Sequence, residues 1–332
     1  MNHTLQRTGV QLNTKEEVLD VIYCLDENYN FQMFSSANSF LQHYKYPVRI
    51  HILHNNPDTI TEISSLLNNF ENLISVNKYK FVKNENFIFP AIENYHVTEA
   101  TYYRLFLHEY LPKNISKLLY LDPDVITIKE VTEEIQKQFD ELKNSKYLIG
   151  GVNYVISNNT TNQEMLDSLS MKSKKYFNAG VLLIDYKKWQ SREIGKNLIS
   201  HSKKILSSNV QLKQHDQDVL NSYFDGKFLD LVNIYNYPLL ERFYKKDKIK
   251  IENTAFFIHY VGKEKPWLLN GIFSEMAKYY QNSYENFYNG IHFEVKDDIN
   301  FKKIIKQYKL RNLFNLTKLT FLISVLKKYL HK

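Results

Sequence analysis

Short apolar runs alternate along this chain with longer segments of helical periodicity, and this alternation restricts the fold more than any other feature. Residues 18–25, 48–53 and 73–82 have the length and the β-branched and aromatic content of buried strands. The intervening residues 31–44 and 59–70 have the apolar spacing of helices. Strands that alternate with helices predict an α/β fold with a mainly parallel sheet covered on both faces.

The same pattern continues further along the chain. Thr98 is a good N-cap for a helix that has Glu99 in its first turn and Pro112 beyond its end. Residues 117–121, 147–152, 179–184 and 256–260 are then expected to be buried strands. With no internal repeat and no Pro/Gly/Ser linker, we expect one domain over residues 18–290 and a tail over residues 291–332.

Glycine and cysteine usage excludes several classes of site. None of the nine glycines falls in the spacing of a Rossmann dinucleotide loop, a Walker phosphate loop or a hydrolase nucleophile elbow. The single Cys24 excludes an internal disulfide framework and a cysteine-cluster zinc site. No apolar run has the signal-peptide pattern at the start or reaches the ~20 residues of a spanning helix, so we expect a cytoplasmic protein.

The positive charge is concentrated in the tail. The formal net charge is +7, and residues 301–332 carry eight Lys and one Arg with no acidic residue. Residues 1–300 are therefore slightly acidic, with 34 basic and 36 acidic residues. A nucleic-acid partner is not expected, because phosphate-binding surfaces need basic residues spread over the folded domain.

Two polar motifs follow predicted strands. Asp122, Pro123 and Asp124 come directly after residues 117–121, and Asp26 opens the sequence DENY after the first strand. In an extended segment residues i and i+2 project to the same side, so Asp122 and Asp124 can share one Mg²⁺ or Mn²⁺. The alternative is a turn that ends each strand, since both strings are common in turns.

Five motifs occur in a characteristic order: CLDENY, YRLFLHEYLPKNISKLLYLDPDVI, FNAGVLLIDYKKW, HDQDVLN and HYVGKEKPW. With them the chain resembles glycosyltransferase family 8, which includes bacterial lipopolysaccharide galactosyl- and glucosyltransferases and glycogenin-like proteins. The resemblance covers residues 21–267. It implies a GT-A fold, with a mixed, mainly parallel Rossmann-like sheet and helices on both faces, and a UDP-sugar donor.

The resemblance places particular residues around UDP. Cys24 and Leu25 would contact the uracil and ribose through their backbones, and Asp26, Asn28 and Tyr29 through their side chains. An aromatic ring for the base face and a polar group for its N–H are what a pyrimidine site needs.

The resemblance also implies a metal site. His259 would join Asp122 and Asp124 as the third ligand of Mn²⁺ or Mg²⁺, with Lys265 on the departing β-phosphate and Gly262 giving the backbone close access to it. The alternative for His259 is a core histidine on an apolar strand.

Further positions would surround the donor sugar and its phosphates. They are Val97, Arg104, Pro123, Asn153, Asn178, Ala179, Asp216 and Gln217. Many family members carry an aspartate near the position of Asn153, so glucose and galactose both stay open. Read alone, Arg104 is a surface ion-pair residue, and Asp216 lies near the cap of a helix.

The implied activity is transfer of a hexose from a UDP-sugar to a glycan or glycoprotein hydroxyl with retention of configuration. Asp216, Gln217 and Lys265 would act at the reacting centre. Gln217 is a poor nucleophile, which favours attack by the acceptor on the same face over a covalent intermediate. The alternatives are a non-catalytic sugar-nucleotide or glycan-binding relative and a glycogenin-like protein that glycosylates itself.

The tail has a pattern of its own. Over residues 301–332 apolar residues recur near helical spacing among the lysines. This predicts a basic amphipathic helix that lies on an anionic membrane. The resemblance implies the inner face of the cytoplasmic membrane, where related bacterial enzymes attach through basic, apolar C-termini. The alternative is a C-terminal helix packed on the domain.

Overall fold

The computed structural model describes residues 3–6, 17–83, 87, 89, 98–154, 160–208, 210–268, 271–272 and 274–294. The strands are β1 His3–Gln6, β2 Leu19–Leu25, β3 Val48–His54, β4 Leu73–Lys80, β5 Lys117–Leu121, β6 Val125–Thr127, β7 Ile149–Asn153, β8 Phe177–Asp185, β9 Leu229–Leu231, β10 Tyr237–Pro238 and β11 Phe257–His259. The α-helices are α1 Asn30–His43, α2 Ile63–Asn69, α3 Leu107–Tyr110, α4 Thr132–Asn144, α5 Thr160–Ser168, α6 Tyr186–Ser191, α7 Ile194–Ser207, α8 Asp216–Phe224, α9 Glu241–Thr254 and α10 Ala277–Phe287. Single 3₁₀ segments cover Glu27–Tyr29, Pro57–Thr59, Glu99–Phe106 and Asn233–Tyr235.

Eight strands form one mixed sheet in the order β1-β4-β3-β2-β5-β8-β7-β9. The run β4-β3-β2-β5 is parallel, as the alternation of strands and helices predicts. Strand β8 is antiparallel to both of its neighbours, β5 and β7, and β1 is antiparallel to β4. A second, three-stranded sheet has the order β10-β11-β6.

Both faces of the large sheet are covered, and β2 shows this directly. Its side chains alternate between two apolar cores, because successive residues of a strand point to opposite faces. Val21 and Tyr23 pack in a core with residues of α1, α2 and α4. Ile22 and Cys24 pack in the other core, with residues of the 3₁₀ segment Glu99–Phe106 and of α6, α7 and α8.

The turn after β5 connects the two sheets. The Asp122 amide donates to the Gly180 carbonyl at 2.8 Å, and the Val125 amide donates back to the Asp122 carbonyl at 3.1 Å. Strand β6 starts at Val125, which lies opposite His259 in the antiparallel pairing of β6 with β11. The carboxyl end of β5 and the end of β11 therefore meet at one place.

Several local features differ from the sequence prediction. The segment after Thr98 is a 3₁₀ helix for eight residues before the short α3, and the Thr98 side chain makes no capping hydrogen bond. Asn178 lies inside β8 rather than before it. Residues 59–70 form α2 only from Ile63 onward, after the 3₁₀ turn Pro57–Thr59.

The described chain continues past residue 290 in contact with the domain. The Glu294 amide donates to the Trp267 carbonyl at 2.9 Å, and Gln32 Nε2 donates to Glu294 Oε1 at 2.6 Å. Within the described part of the chain, no helix combines the length and apolarity needed to cross a bilayer. The tail predicted as a basic helix, residues 301–332, lies outside the described residues.

Candidate functional site

A cavity of about 450 Å³ opens where β2, β5 and β11 end and α8 begins. Its wall includes most of the residues that the sequence assigned to the donor and the metal: Cys24, Leu25, Tyr29, Arg104, Asp122, Pro123, Asp124, Asn178, Ala179, Asp216, Gln217, His259, Gly262 and Lys265. This is the position, outside the carboxyl ends of the strands, where ligands bind in open α/β sheets.

Three residues that line the cavity form a candidate metal centre. One ligand atom from each of Asp122, Asp124 and His259 lies within 4.8 Å of the others. His259 Nε2 is 3.2 Å from Asp124 Oδ1 and 3.9 Å from Asp122 Oδ2. The pairing of β11 with β6 positions His259, and the turn after β5 positions both carboxylates.

The donor atoms fit a divalent cation. Asp124 Oδ1 is buried and accepts no hydrogen bond from the described residues, although it faces a ring nitrogen of His259. A buried carboxylate oxygen without a donor is costly unless a cation binds it. Two carboxylates and one imidazole are suitable ligands for a divalent metal ion.

Lys265 lies against the same carboxylate. Its ammonium is 2.5 Å from Asp124 Oδ2 and donates to the Tyr260 carbonyl at 2.6 Å. Burial by itself would raise the pKa of Asp124, but the charge and the hydrogen bond of Lys265 oppose burial, and the pKa lies below its ordinary value. Asp124 is therefore ionised at neutral pH.

Arg104 connects the metal centre to the opposite wall. Its Nη2 donates to Asp122 Oδ1 at 2.8 Å, and its Nη1 donates to the Ala179 carbonyl at 2.7 Å. The guanidinium lies over the Tyr120 ring, 4.1 Å from its centroid, and the Tyr120 hydroxyl donates to Asp122 Oδ1 at 2.7 Å. The isolated reading of Arg104 as a surface residue is wrong, because the side chain is only 6% exposed.

Asp216, the first residue of α8, is the second acidic partner of Arg104. The Nε atom lies 2.8 Å from Asp216 Oδ2, but its N–H donates to the Thr101 carbonyl instead. The Thr101 hydroxyl donates to Asp216 Oδ1. Burial raises the pKa of Asp216 to about 6, and the nearby Arg104 and Thr101 only partly offset this effect.

Gln217 is held at both ends of its amide group. Its Oε1 accepts a hydrogen bond from the Ala179 amide at 2.9 Å, and its Nε2 donates to the Tyr176 hydroxyl at 3.2 Å. The Tyr176 hydroxyl in turn donates to Asp218 at 2.7 Å. These contacts fix the direction of the Gln217 side chain relative to β8.

Comparison with known proteins shows to which family this chain belongs. The family profile described as "Glycosyl transferase family 8" matches residues 20–271. The chain belongs to glycosyltransferase family 8.

Curated relatives and solved structures agree with this assignment. The chain is 24% identical to General stress protein A of Bacillus subtilis, over 77% of this chain and 90% of that protein. It is 26% identical to the lipopolysaccharide 1,2-glucosyltransferase of Escherichia coli K12, over 83% of this chain and 80% of that protein. The structure of the galactosyltransferase LgtC with donor and acceptor sugar analogs superposes with a TM-score of 0.63 at 23% identity, covering 82% of this chain and 97% of that one, which confirms the GT-A fold.

Three described residues that the family resemblance assigned to the donor do not line the cavity: Asp26, Asn28 and Asn153. Asp26 Oδ1 accepts a hydrogen bond from the Asn28 amide at 3.0 Å and caps a 3₁₀ turn. Asn153 Oδ1 accepts from the Tyr176 amide at 3.2 Å. Val97 lies outside the described residues. Donor contacts of these four residues stay a prediction.

Other residues of this family 8 site were not found from the sequence. His215 lines the cavity with φ of 55° and ψ of −124°, and its buried Nε2 has no hydrogen-bond partner among the described residues. Asn236 accepts from His259, and a Cβ at Gly180 would lie 2.2 Å from His259 Cε1. Only Gly180 had a sequence signal, since a glycine inside a buried strand indicates a close approach.

Proposed function

We propose that this family 8 member is a retaining hexosyltransferase that moves glucose or galactose from a UDP-sugar to a hydroxyl of a glycan or glycoprotein acceptor. The observation that carries the proposal is the arrangement of Asp122, Asp124 and His259 with Lys265 in the wall of one cavity. Metal ligands beside a buried ammonium are suited to a diphosphate.

The nucleoside would lie at the wall formed by Cys24 and Leu25, the last two residues of β2, and by Tyr29 in the 3₁₀ turn that follows. The Tyr29 ring packs edge-on against Trp267, with centroids 6.0 Å apart, and this contact fixes the ring plane. A fixed aromatic ring is a suitable surface for a pyrimidine base.

The reaction breaks the bond between the sugar C1 and the β-phosphate oxygen, so negative charge develops on UDP. Lys265 would stabilise that charge and Arg104 would hold Asp122 in place. Asp122, Asp124 and His259 would hold Mn²⁺ or Mg²⁺, which supplies electrostatic stabilisation of the diphosphate when bound.

The contacts of Gln217 favour retention without a glycosyl-enzyme. Its amide oxygen already accepts from the Ala179 amide, and an amide is a weak nucleophile. Asp216, the neighbouring carboxylate, is bonded to Thr101 and paired with Arg104. We therefore infer that the acceptor hydroxyl attacks the face that UDP leaves, and that its proton passes to the departing phosphate.

The names of the relatives support the sugar class. Lipopolysaccharide 1,2-glucosyltransferase and lipopolysaccharide 1,3-galactosyltransferase are among the matching proteins. We extend the proposal to a hexose donor and to a bacterial cell-surface glycan acceptor on this basis.

The location is also proposed. The catalytic domain over residues 18–290 would work in the cytoplasm, and residues 301–332, with nine basic residues, would hold it on anionic lipid. Truncation after residue 298 is expected to abolish flotation with anionic liposomes. Unchanged flotation would show that the tail is not the membrane anchor.

The activity is tested by incubating the full chain with Mn²⁺ and a panel of UDP-sugars, and by measuring UDP release with and without glycan or glycopeptide acceptors. Asp124→Asn is expected to abolish metal-dependent turnover. Asp140→Asn is a suitable control, because that carboxylate is 66% exposed on α4. Normal turnover in Asp124→Asn would refute the assigned metal site.

A further inference from the structure

A chain of hydrogen bonds behind His259 begins at a backbone amide. The Gly180 N–H donates to Asn178 Oδ1 at 2.9 Å. Because a backbone amide can only donate, this contact identifies the acceptor atom of the Asn178 side chain and fixes its orientation.

The second step concerns Asn236, which is 2% exposed. Its side chain lies 2.7 Å from the same Asn178 oxygen, so the atom that faces this acceptor is the NH₂ group. The carbonyl oxygen of Asn236 then faces His259 Nδ1 at 3.0 Å. An amide oxygen at that distance accepts a hydrogen bond from Nδ1, so Nδ1 carries the proton.

The third step concerns the position of the proton on the imidazole ring of His259. When Nδ1 carries the proton, the neutral ring has its lone pair on Nε2, the atom nearest Asp122 and Asp124. Gly180 contributes twice, since its amide starts the chain and its lack of a Cβ leaves space for the ring.

We propose that Asn236 is a positioning residue that keeps His259 in the Nδ1-protonated tautomer, with Nε2 directed toward the carboxylates as a metal ligand. The proposal rests on the proposed metal site. Burial makes the role specific to Asn236, because His259 is 6% exposed and water does not readily replace the lost acceptor. Loss of a residue that hydrogen-bonds to a metal ligand typically weakens metal affinity about 10- to 100-fold.

The test uses the full chain and MnCl₂ alone, with free Mn²⁺ followed by electron paramagnetic resonance. Asn236→Ala is expected to weaken Mn²⁺ binding about 10- to 100-fold. The matched control is Asn38→Ala, since Asn38 is also 2% exposed and loses two hydrogen bonds, to Ser283 on α10. We expect the control to bind Mn²⁺ with an affinity within about twofold of the unmodified protein. Distant residues that share no partners usually affect each other by no more than this.

A second measurement reads the tautomer directly. Nitrogen-15 NMR of histidine-labelled protein, with the signal assigned by its loss in His259→Gln, is expected to show the proton on Nδ1. Asn236→Asp retains an acceptor for that proton and is expected to keep it there, whereas Asn236→Ala is expected to lose the preference. The circular dichroism spectrum checks that each variant is folded.

The two measurements distinguish failure of the proposed metal site from failure of the role inferred for Asn236. If the unmodified protein binds neither Mn²⁺ nor Mg²⁺, the proposed metal site fails, and the NMR measurement still tests the role of Asn236. A proton on Nε2 of His259 in the unmodified protein, or unchanged Mn²⁺ affinity in folded Asn236→Ala, would overturn the inference.

Discussion

The Lys265 ammonium lies 2.5 Å from Asp124 Oδ2, so the lysine that we assign to the departing phosphate is also the partner of a metal ligand. The two groups come from distant parts of the chain, the turn after β5 and the loop after β11. Both are nearly buried, with side chains that are 6% and 10% exposed. The ion pair therefore places the metal centre and the phosphate-binding charge side by side.

Replacement of Lys265 by Met should separate these two roles. We expect kcat/KM for the UDP-sugar to fall about 10²- to 10³-fold, because a charge directed at the developing phosphate anion is lost. The affinity for Mn²⁺ should stay the same or increase, because the ammonium no longer competes for Asp124. UDP-release kinetics and Mn²⁺ titration measure the two effects.

Lys263→Met is the matched control for this experiment. Lys263 also lines the cavity, but it is exposed to solvent. We expect its kcat/KM to change far less than that of Lys265→Met. Loss of Mn²⁺ binding in Lys265→Met, or equal kinetic losses in both variants, would contradict the assignment.

Gly180→Ala should damage the metal centre through sterics alone. The new Cβ would lie 2.2 Å from His259 Cε1 and 3.0 Å from Asp122 Oδ2, so the ring must move. We expect Mn²⁺ affinity to fall at least about tenfold and the free energy of unfolding to fall by about 1–3 kcal/mol. Metal titration and urea denaturation are the measurements.

Gly150→Ala on β7 serves as the comparison. It adds the same methyl group inside the same sheet, but its nearest atoms are at the ordinary contact distance of 3.6 Å. Mn²⁺ affinity should be unaffected there. If both variants bind Mn²⁺ equally well, the ring of His259 does not depend on the space at Gly180.

His215 should show a backbone cost that can be separated from its side chain. Its φ of 55° with ψ of −124° is a conformation that suits glycine and strains other residues by about 1–3 kcal/mol. His215→Gly and His215→Ala both remove the ring, so only the backbone term differs. We expect the glycine variant to have the higher free energy of unfolding, by about 1 kcal/mol, in urea denaturation. This difference already allows for the larger conformational entropy that glycine gains on unfolding. Equal stability would show that position 215 is not strained.

The predictable part of this fold is the part with long, regular apolar patterns. Strand β5 has the predicted bounds, and β2, β3 and β4 differ from prediction by only one or two residues at an end. Spacing along an extended chain predicted that Asp122 and Asp124 would lie together, but in the structure it is the turn after β5 that brings them together. Their proximity to His259 was not predicted from the pattern, because it depends on the pairing of β11 with β6. Strand β11 lies within the predicted strand 256–260, but β6 is three residues long and too short for a periodic signal.

Orientation within the site was also beyond sequence reasoning. Strand β8 runs antiparallel to β5, and this direction brings Asn178 and Gly180 beside the metal ligands. Periodicity gives the length of a strand but not its direction. The role proposed for Asn236 depends on a hydrogen bond to Asn178 on β8, 58 residues away in the sequence, which no local pattern encodes.

Asp216 should make stability depend on pH in an identifiable window. Its pKa is about 6 in the folded protein and 3.8 in the reference state, so the folded chain holds this proton more tightly than the unfolded chain does. Its contribution to stability is therefore most favourable below pH 4 and is lost as the pH rises from 4 to 6. A shift of roughly two units corresponds to about 3 kcal/mol.

Asp216→Asn removes that titration, so the stability of the variant relative to the unmodified protein should rise by about 2 kcal/mol between pH 4 and pH 7.5, since part of the total change occurs below pH 4. Urea denaturation at the two pH values measures the change, and other titrating groups cancel in the difference. Asp140→Asn on the exposed face of α4 should show almost no such change. If the stability difference between Asp216→Asn and the unmodified protein is independent of pH, Asp216 is ionised in the folded protein throughout this range. Arg104 would then stabilise the carboxylate more strongly than expected for an Nε–H that donates to the Thr101 carbonyl.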